Sequence, residues 1–111
     1  MAKSEYKLHG DFDEVVRTIE QGVMDGSMSA SYEDGSDWQS GDVRCAVRVF
    51  ERYSYLGKNR VSMNVTVVGK DRDIFVTAIT SGGSQAMFFK INTFGEESFL
   101  DTLDAVMERY T

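Results

Sequence analysis

The stretch Thr80 to Leu103, TSGGSQAMFFKINTFGEESFLDTL, constrains this chain more than any other. Its apolar period changes from two to about 3.6 within a few residues, so it predicts a turn, a strand and a helix in quick succession. The paired glycines of Ser81-Gly82-Gly83-Ser84 supply the φ > 0 residues that a two-residue hairpin loop needs. Met87, Phe89 and Ile91 then alternate with Ala86, Phe88, Lys90 and Asn92, a short aromatic strand. Thr93 precedes Glu96 by three residues, the spacing of a reciprocal helix cap, and Glu96 and Glu97 suit the positive end of the helix dipole. Phe99, Leu100, Leu103, Val106, Met107 and Tyr110 follow as one apolar stripe. Such a unit needs a sheet for its strand to join and a surface for its helix to cover.

The upstream residues supply both. Ser4 to His9 sets Tyr6 and Leu8 against Lys7, a half-buried strand that Gly10 breaks. Asp11 and Glu14 form a second cap of the D-x-x-E type, and Phe12, Val15, Val16, Ile19, Val23 and Met24 make the stripe of a helix ending near Gly22 to Gly26. Ser27 to Tyr32 alternates Ser with Met28, Ala30 and Tyr32, a second strand. Glu33 to Asp42, EDGSDWQSGD, reads as a polar loop in which Trp38 folds back onto the body. Its acids Asp34, Asp37 and Asp42 lack the spacing of a twelve-residue calcium loop.

From Val43 to Ile79 three segments alternate cleanly. In the first, Val43, Cys45, Val47 and Val49 are assigned to the core and Arg44, Ala46, Arg48, Phe50 and Arg52 to the open side. Val61, Met63, Val65 and Val67 point inward in the next, followed by Ile74, Val76 and Ala78 with Phe75, Thr77 and Ile79 outward. Gly57-Lys58-Asn59 and Gly69 to Asp73 are the turns between them. The order is β-α-β-β-β-β-β-α. Short turns imply an antiparallel sheet, and two one-sided helices imply a two-layer α+β domain with both helices covering the Val43/Val61/Val76/Phe89 face.

At 111 residues the chain makes a single domain, 1–111, with enough mass for one core. No apolar run reaches the ~20 residues of a membrane helix, and MAKSEYKLHG lacks a signal-peptide core, so the expected location is cytoplasmic. The lone Cys45 suits a reducing compartment and excludes an internal disulfide. With one His and one Cys, the Cys/His zinc sites that use about four ligands are excluded, and no cofactor motif is present. The net charge of −6 argues against nucleic acid and anionic membrane as partners.

The segments GDVRCAVRVFERYS (Gly41 to Ser54) and ITSGGSQAMFFKINTFGEESFLDTL (Ile79 to Leu103), with the GDFDEVV start of the first helix, resemble a small uncharacterised bacterial family of about this length. The similarity runs end to end. That resemblance implies no activity, substrate or site residues, because the family is a domain of unknown function. The element order also loosely resembles a shortened helix-grip fold, in which a terminal helix lies across a curved antiparallel sheet, and fold likeness alone carries no function.

No catalytic constellation stands out. His9, the only histidine, is remote in sequence from Cys45 and from Ser81 and Ser84, so no nucleophile has an evident base. Cys45 alternates with Val43 and Val47 as a buried structural thiol. The expectation is therefore a non-enzymatic domain. The SGGS turn lies between strands and lacks the lysine of a phosphate loop, so a plain hairpin accounts for it.

One pattern suggests a surface. Residues 11–25 and 96–109 are acidic, whereas Arg44, Arg48, Arg52, Lys58 and Arg60 are opposed only by Glu51. With both helices on one face, the open face is expected to be basic and to display Phe50, Phe75, Ile79 and Phe88, and exposed apolar patches mark contact surfaces. Three readings follow. The face joins two copies about a two-fold axis, as a homodimer. Alternatively Arg44, Arg48, Arg60 and Lys90, with Arg52 nearby and Phe50 or Phe88 as an apolar wall, bind an anionic small molecule or an acidic protein partner. In the third reading these are solvated cross-strand charges, with Phe75 and Phe88 paired for sheet stability.

Overall fold

The computed structural model of the chain describes residues 1–54, 59–82 and 89–110, apart from the side chains of 54, 59 and 89–94. In chain order the elements are β1 (Ala2–His9), α1 (Phe12–Gly26), β2 (Ser31–Ser40), β3 (Val43–Ser54), β4 (Asn59–Lys70), β5 (Asp73–Gly82) and α2 (Phe89–Met107), followed by a 3-10 turn at Glu108–Tyr110. Among the described residues five strands form one antiparallel sheet in the order β1-β5-β4-β3-β2. The meander β2 to β5 is built by neighbours in sequence. β1 lies at the far edge beside β5, so α1 carries the chain across the full width of the sheet. This is a two-layer α+β domain, the class that its periodicity predicts.

Local chemistry explains most of these elements. Asp11 has extended φ/ψ and its carboxylate accepts the Glu14 N–H at 3.0 Å, satisfying an amide that the first turn of α1 leaves free. Phe12, Val15, Val16, Ile19 and Val23 then bury one stripe of α1, and Phe99, Leu100, Leu103 and Met107 do the same for α2. The tight turns fall at Gly41-Asp42, where Gly41 has φ +58, and at Asp71-Arg72.

Both helices lie on one face of the sheet and touch each other there. Their close approach depends on Gly22 and Gly26: a Cβ at Gly22 would sit 2.3 Å from Val106 Cγ2, and one at Gly26 2.6 Å from Thr102 Cγ2. The core fills the space below with Leu8, Val61, Met63, Val65, Val67, Ile74, Val76 and Ala78 from the sheet. Tyr6 Oη donates to the Asp104 carboxylate and Tyr110 Oη to Thr18 Oγ1 at 3.1 Å, tying α2 to β1 and to α1.

Three sequence expectations need correction. The second strand is Ser31–Ser40, not Ser27 to Tyr32, so the polar run Glu33 to Ser40 is strand and not loop. β2 is an edge strand with all but its first residue exposed, and backbone pairing to β3 needs no apolar side chains. The predicted sixth strand is absent where it can be checked, because Phe89, Lys90, Ile91 and Asn92 belong to α2. Three alternating apolar residues are too few to separate strand from helix, and propagating a helix costs little once it is nucleated. Thr93 and Glu96 therefore lie within α2 and not at its cap. Glu96 is buried, accepting the Gly82 N–H at 3.1 Å and meeting the Met1 ammonium. Gly57, Lys58, Gly83, Ser84 and Ala86 to Phe88 lie outside the described residues.

Candidate functional site

The structure reverses the expected phase of β3. Ala46 and Phe50 are fully buried, opposite Val67 and Met63 of β4, and Arg44, Arg48 and Arg52 share their side of the strand. Arg44, Arg48, Phe50 and Arg52 thus face the helices, and the open face carries Val43, Cys45, Val47 and Val49. The physical reason is position. β3 lies at the margin of helix cover, where an arginine stem can lie on the core while its head reaches out to a helix carboxylate. Alternation alone allows either phase, and a slip of one residue exchanges the faces.

Each of these arginines is engaged within its own chain. Arg44 grips Asp13 of α1 with two hydrogen bonds, Nη1 to Oδ2 at 3.0 Å and Nη2 to Oδ1 at 2.8 Å, with its guanidinium 4.5 Å above the Phe12 ring. The hydrogen bond from Arg44 holds the Asp13 carboxyl below the ordinary carboxylate range. Arg48, its side chain 11% exposed, donates to Glu20 at 3.3 Å, to Asp37 of β2 at 2.9 Å and to the carbonyls of Ser36 and Val47. Burial works against its charge, but the Asp37 and Glu20 carboxylates outweigh that and raise its pKa. Arg52 lies 4.8 Å over the Phe99 ring, and burial lowers its pKa despite the nearby Asp101. The acids of α1 are therefore half of an ion-paired seam between the layers, so the expected division into acidic and basic faces does not hold.

Of the other predicted site residues, Arg60 does lie on the open face, held by Glu51 at 2.7 Å and by Ser31 Oγ at 2.9 Å. Lys90 is in α2, with its side chain outside the described set, as is the whole of Phe88. Phe75 and Ile79 face outward as expected.

The open face has an order that the arginine pattern concealed. Strand register sets Lys7, Phe75, Val68, Cys45 and Trp38 in one row across all five strands. Lys3, Ile79, Asn64, Val49 and Asp34 form another, with Glu5, Thr77, Thr66, Val47 and Ser36 between them. Val68, Ile79 and Trp38 are 37%, 42% and 60% exposed, and no described element covers them. Trp38 therefore does not fold back onto the body. Lys3, Lys7, Arg60 and Lys70 alternate with Glu5, Asp34, Glu51 and Asp73 around this apolar middle. At one end the face is hollowed, about 540 Å³ bounded by Lys7, His9, Val68, Lys70, Ile74 and Phe75. Sequence reasoning missed Trp38, Cys45 and Val68 because it assigned Trp38 to a loop and the wrong side of β3 to the core.

The arrangement does not bring Cys45 to the single histidine. His9 pairs with Asp73 at 2.9 Å, and it lies three strands from Cys45, roughly 14 Å at ~4.8 Å per strand. No cluster of three His, Cys, Asp or Glu residues that could hold a metal occurs among the described residues, and no described helix is long and apolar enough to cross a membrane.

What the fold and surface define is a two-layer α+β domain with one sheet face sealed by helices and the other left with an apolar middle and a charged rim. The chain belongs to DUF6054, a family of unknown function, and matches it over residues 1–111. No curated protein and no solved structure matches it.

Proposed function

We propose that this domain is a non-enzymatic self-association module whose open sheet face meets the same face of a second copy. The observation that carries this reading is the row Phe75, Val68, Cys45, Trp38, which runs apolar across four strands with no described element over it and with Val68 and Trp38 exposed. Isolated exposed apolar residues are ordinary, whereas a contiguous patch bounded by charge has the anatomy of an interface. Its size fits: five strands at ~4.8 Å by ten residues at ~3.3 Å give roughly 800 Å², the share each partner contributes to an interface of standard size. The anion-binding alternative lacks comparable support, because an anion would have to displace Asp13, Glu20, Asp37 or Glu51 from Arg44, Arg48 and Arg60. The lone Cys45 suits a reducing compartment, so we read the module as cytoplasmic, and as bacterial from the resemblance of residues 79–103.

The test is mass in solution. Sedimentation equilibrium across the micromolar range should show a concentration-dependent dimer. Val68→Lys, on the central strand β4, should give a monomer that melts at the temperature of the dilute, unpaired wild-type chain. A wild-type chain that stays monomeric up to about a millimolar, beyond which affinity is too weak to matter, sinks the reading.

A further inference from the structure

Resting on that reading, we infer that the two copies are related by a two-fold axis parallel to the strands, so that Trp38 of each enters the hollow beside Lys7 and Phe75 of the other. Two symmetric ways exist to lay the face on itself. If the axis runs along the central strand β4, each cross-strand row falls on its own copy, end for end. If the axis runs across the strands, each strand falls on its own copy and the rows are exchanged.

The residues distinguish the two. With the axis along β4, Phe75 faces Cys45, Val68 faces Val68 and Ile79 faces Val49, so apolar positions meet apolar ones. The edge strands then exchange, β1 over β2, which sets Lys3 opposite Asp34 and Lys7 opposite Trp38. With the axis across the strands, Lys3 instead opposes Lys7, Glu5 opposes Glu5, Val68 opposes Asn64 and Trp38 opposes Asp34. Both arrangements pair apolar positions, since the second sets Phe75 against Ile79 and Cys45 against Val49, but the first is favoured on the edge strands, where Lys3 meets Asp34 and Glu5 meets Ser36. Along β4 it sets Lys70 against Lys70 and Arg60 against Arg60 at the two ends of the face, where Arg60 is already paired with Glu51. Twist rotates stacked sheets by about 30°, which moves edge positions by roughly 5 Å, within the reach of a lysine side chain.

Shape gives a second, independent argument. Trp38 is the most exposed aromatic among the described residues of the face at 60%, and the hollow is a depression of about 540 Å³ in the same face. Only the axis along β4 brings one to the other, because the hollow's wall is Lys7, Val68 and Phe75, in the same row as Trp38. An indole there has an apolar floor and a lysine ammonium close to its face. Symmetry makes the contact twice.

Sedimentation and tryptophan emission test this on the full chain. Trp38 is the only tryptophan, so its emission should shift to shorter wavelength in step with dimer formation. Trp38→Ala should weaken the dimer roughly a hundredfold, as loss of an aromatic anchor seated in a partner's pocket does. Lys3→Glu should weaken it about five- to tenfold, and Asp34→Lys added to Lys3→Glu should restore it. A dimer whose Trp38 emission does not shift, or one that Lys3→Glu tightens by facing Lys7, overturns the strand-parallel axis while leaving self-association standing. A monomeric wild-type chain overturns the underlying reading instead.

Discussion

Truncating Phe50 decides which side of β3 is the inside. Its side chain is 0% exposed, sits opposite Met63 on β4, and meets the edge of the Tyr32 ring at 5.8 Å and 79°. Removing a phenyl ring from such a site costs about 3–5 kcal/mol, the transfer of its atoms plus the cavity left behind. For a chain of this length the unfolding entropy makes 1 kcal/mol about 4 °C, so Phe50→Ala should lower Tm by roughly 15 °C. Val47→Ala is the matched control, one face over. It removes two methyl carbons from a half-exposed position and should cost under about 1 kcal/mol in the monomer. Urea unfolding followed by far-UV circular dichroism, at concentrations too dilute for pairing, measures both. Equal costs, or a larger one at Val47, would mean that β3 sits in the opposite phase and that the arginine seam does not exist.

The remaining predictions concern that seam. Arg48→Met keeps the stem and removes the head, while Glu20 and Asp37 retain access to water, so the loss should be about 1–2 kcal/mol in the urea midpoint. Adding Glu20→Gln should then cost almost nothing more, and fully additive losses would show that the two groups do not interact. Because Arg44 depresses the Asp13 pKa, this pair stabilises the fold above the unfolded carboxyl value of about 3.9, and the contribution disappears as pH falls through the lower native value. An NMR titration of Arg44→Gln should move Asp13 upward, and an Asp13 that already titrates at the ordinary value in the parent chain would mean that the pair does not form in solution.

The first helix, the later turns of the second and the inner strands were legible in the residues because each carries one unambiguous period, whereas Phe89 to Asn92 alternate like a strand and belong to α2. Asp11 to Val23 combines a cap with a stripe, and Val61 to Val67 and Ile74 to Ala78 have only one apolar side. β3 was not legible, since Val43 to Val49 and Ala46 to Phe50 both suit a core and the choice depends on where α1 puts Asp13 and Glu20. That is tertiary information. β2 was hidden for a different reason: the residues of an exposed edge strand are selected for solubility, so SYEDGSDWQS looks like a loop while its backbone pairs along its length. The bare face was foreseen in outline through Phe75 and Ile79. Its actual centre was not, because Trp38 and Cys45 had been given other roles.

The pairing of β1 with β5 sets the order in which this molecule can assemble. His9 must find Asp73, and Ala2 must find Thr80, so the first strand has no neighbour until β5, at residues 73–82, exists. The meander from β2 to β5 is local and free to zip early, whereas closing the long excursion back to β1 exacts an entropic toll that only the docking of both helices repays. Until β5 is in place, α1 is an amphipathic helix without the completed sheet that it covers, a state prone to sticking to other chains. Late closure of the first strand is the corollary of a sheet whose first and last strands in sequence lie side by side.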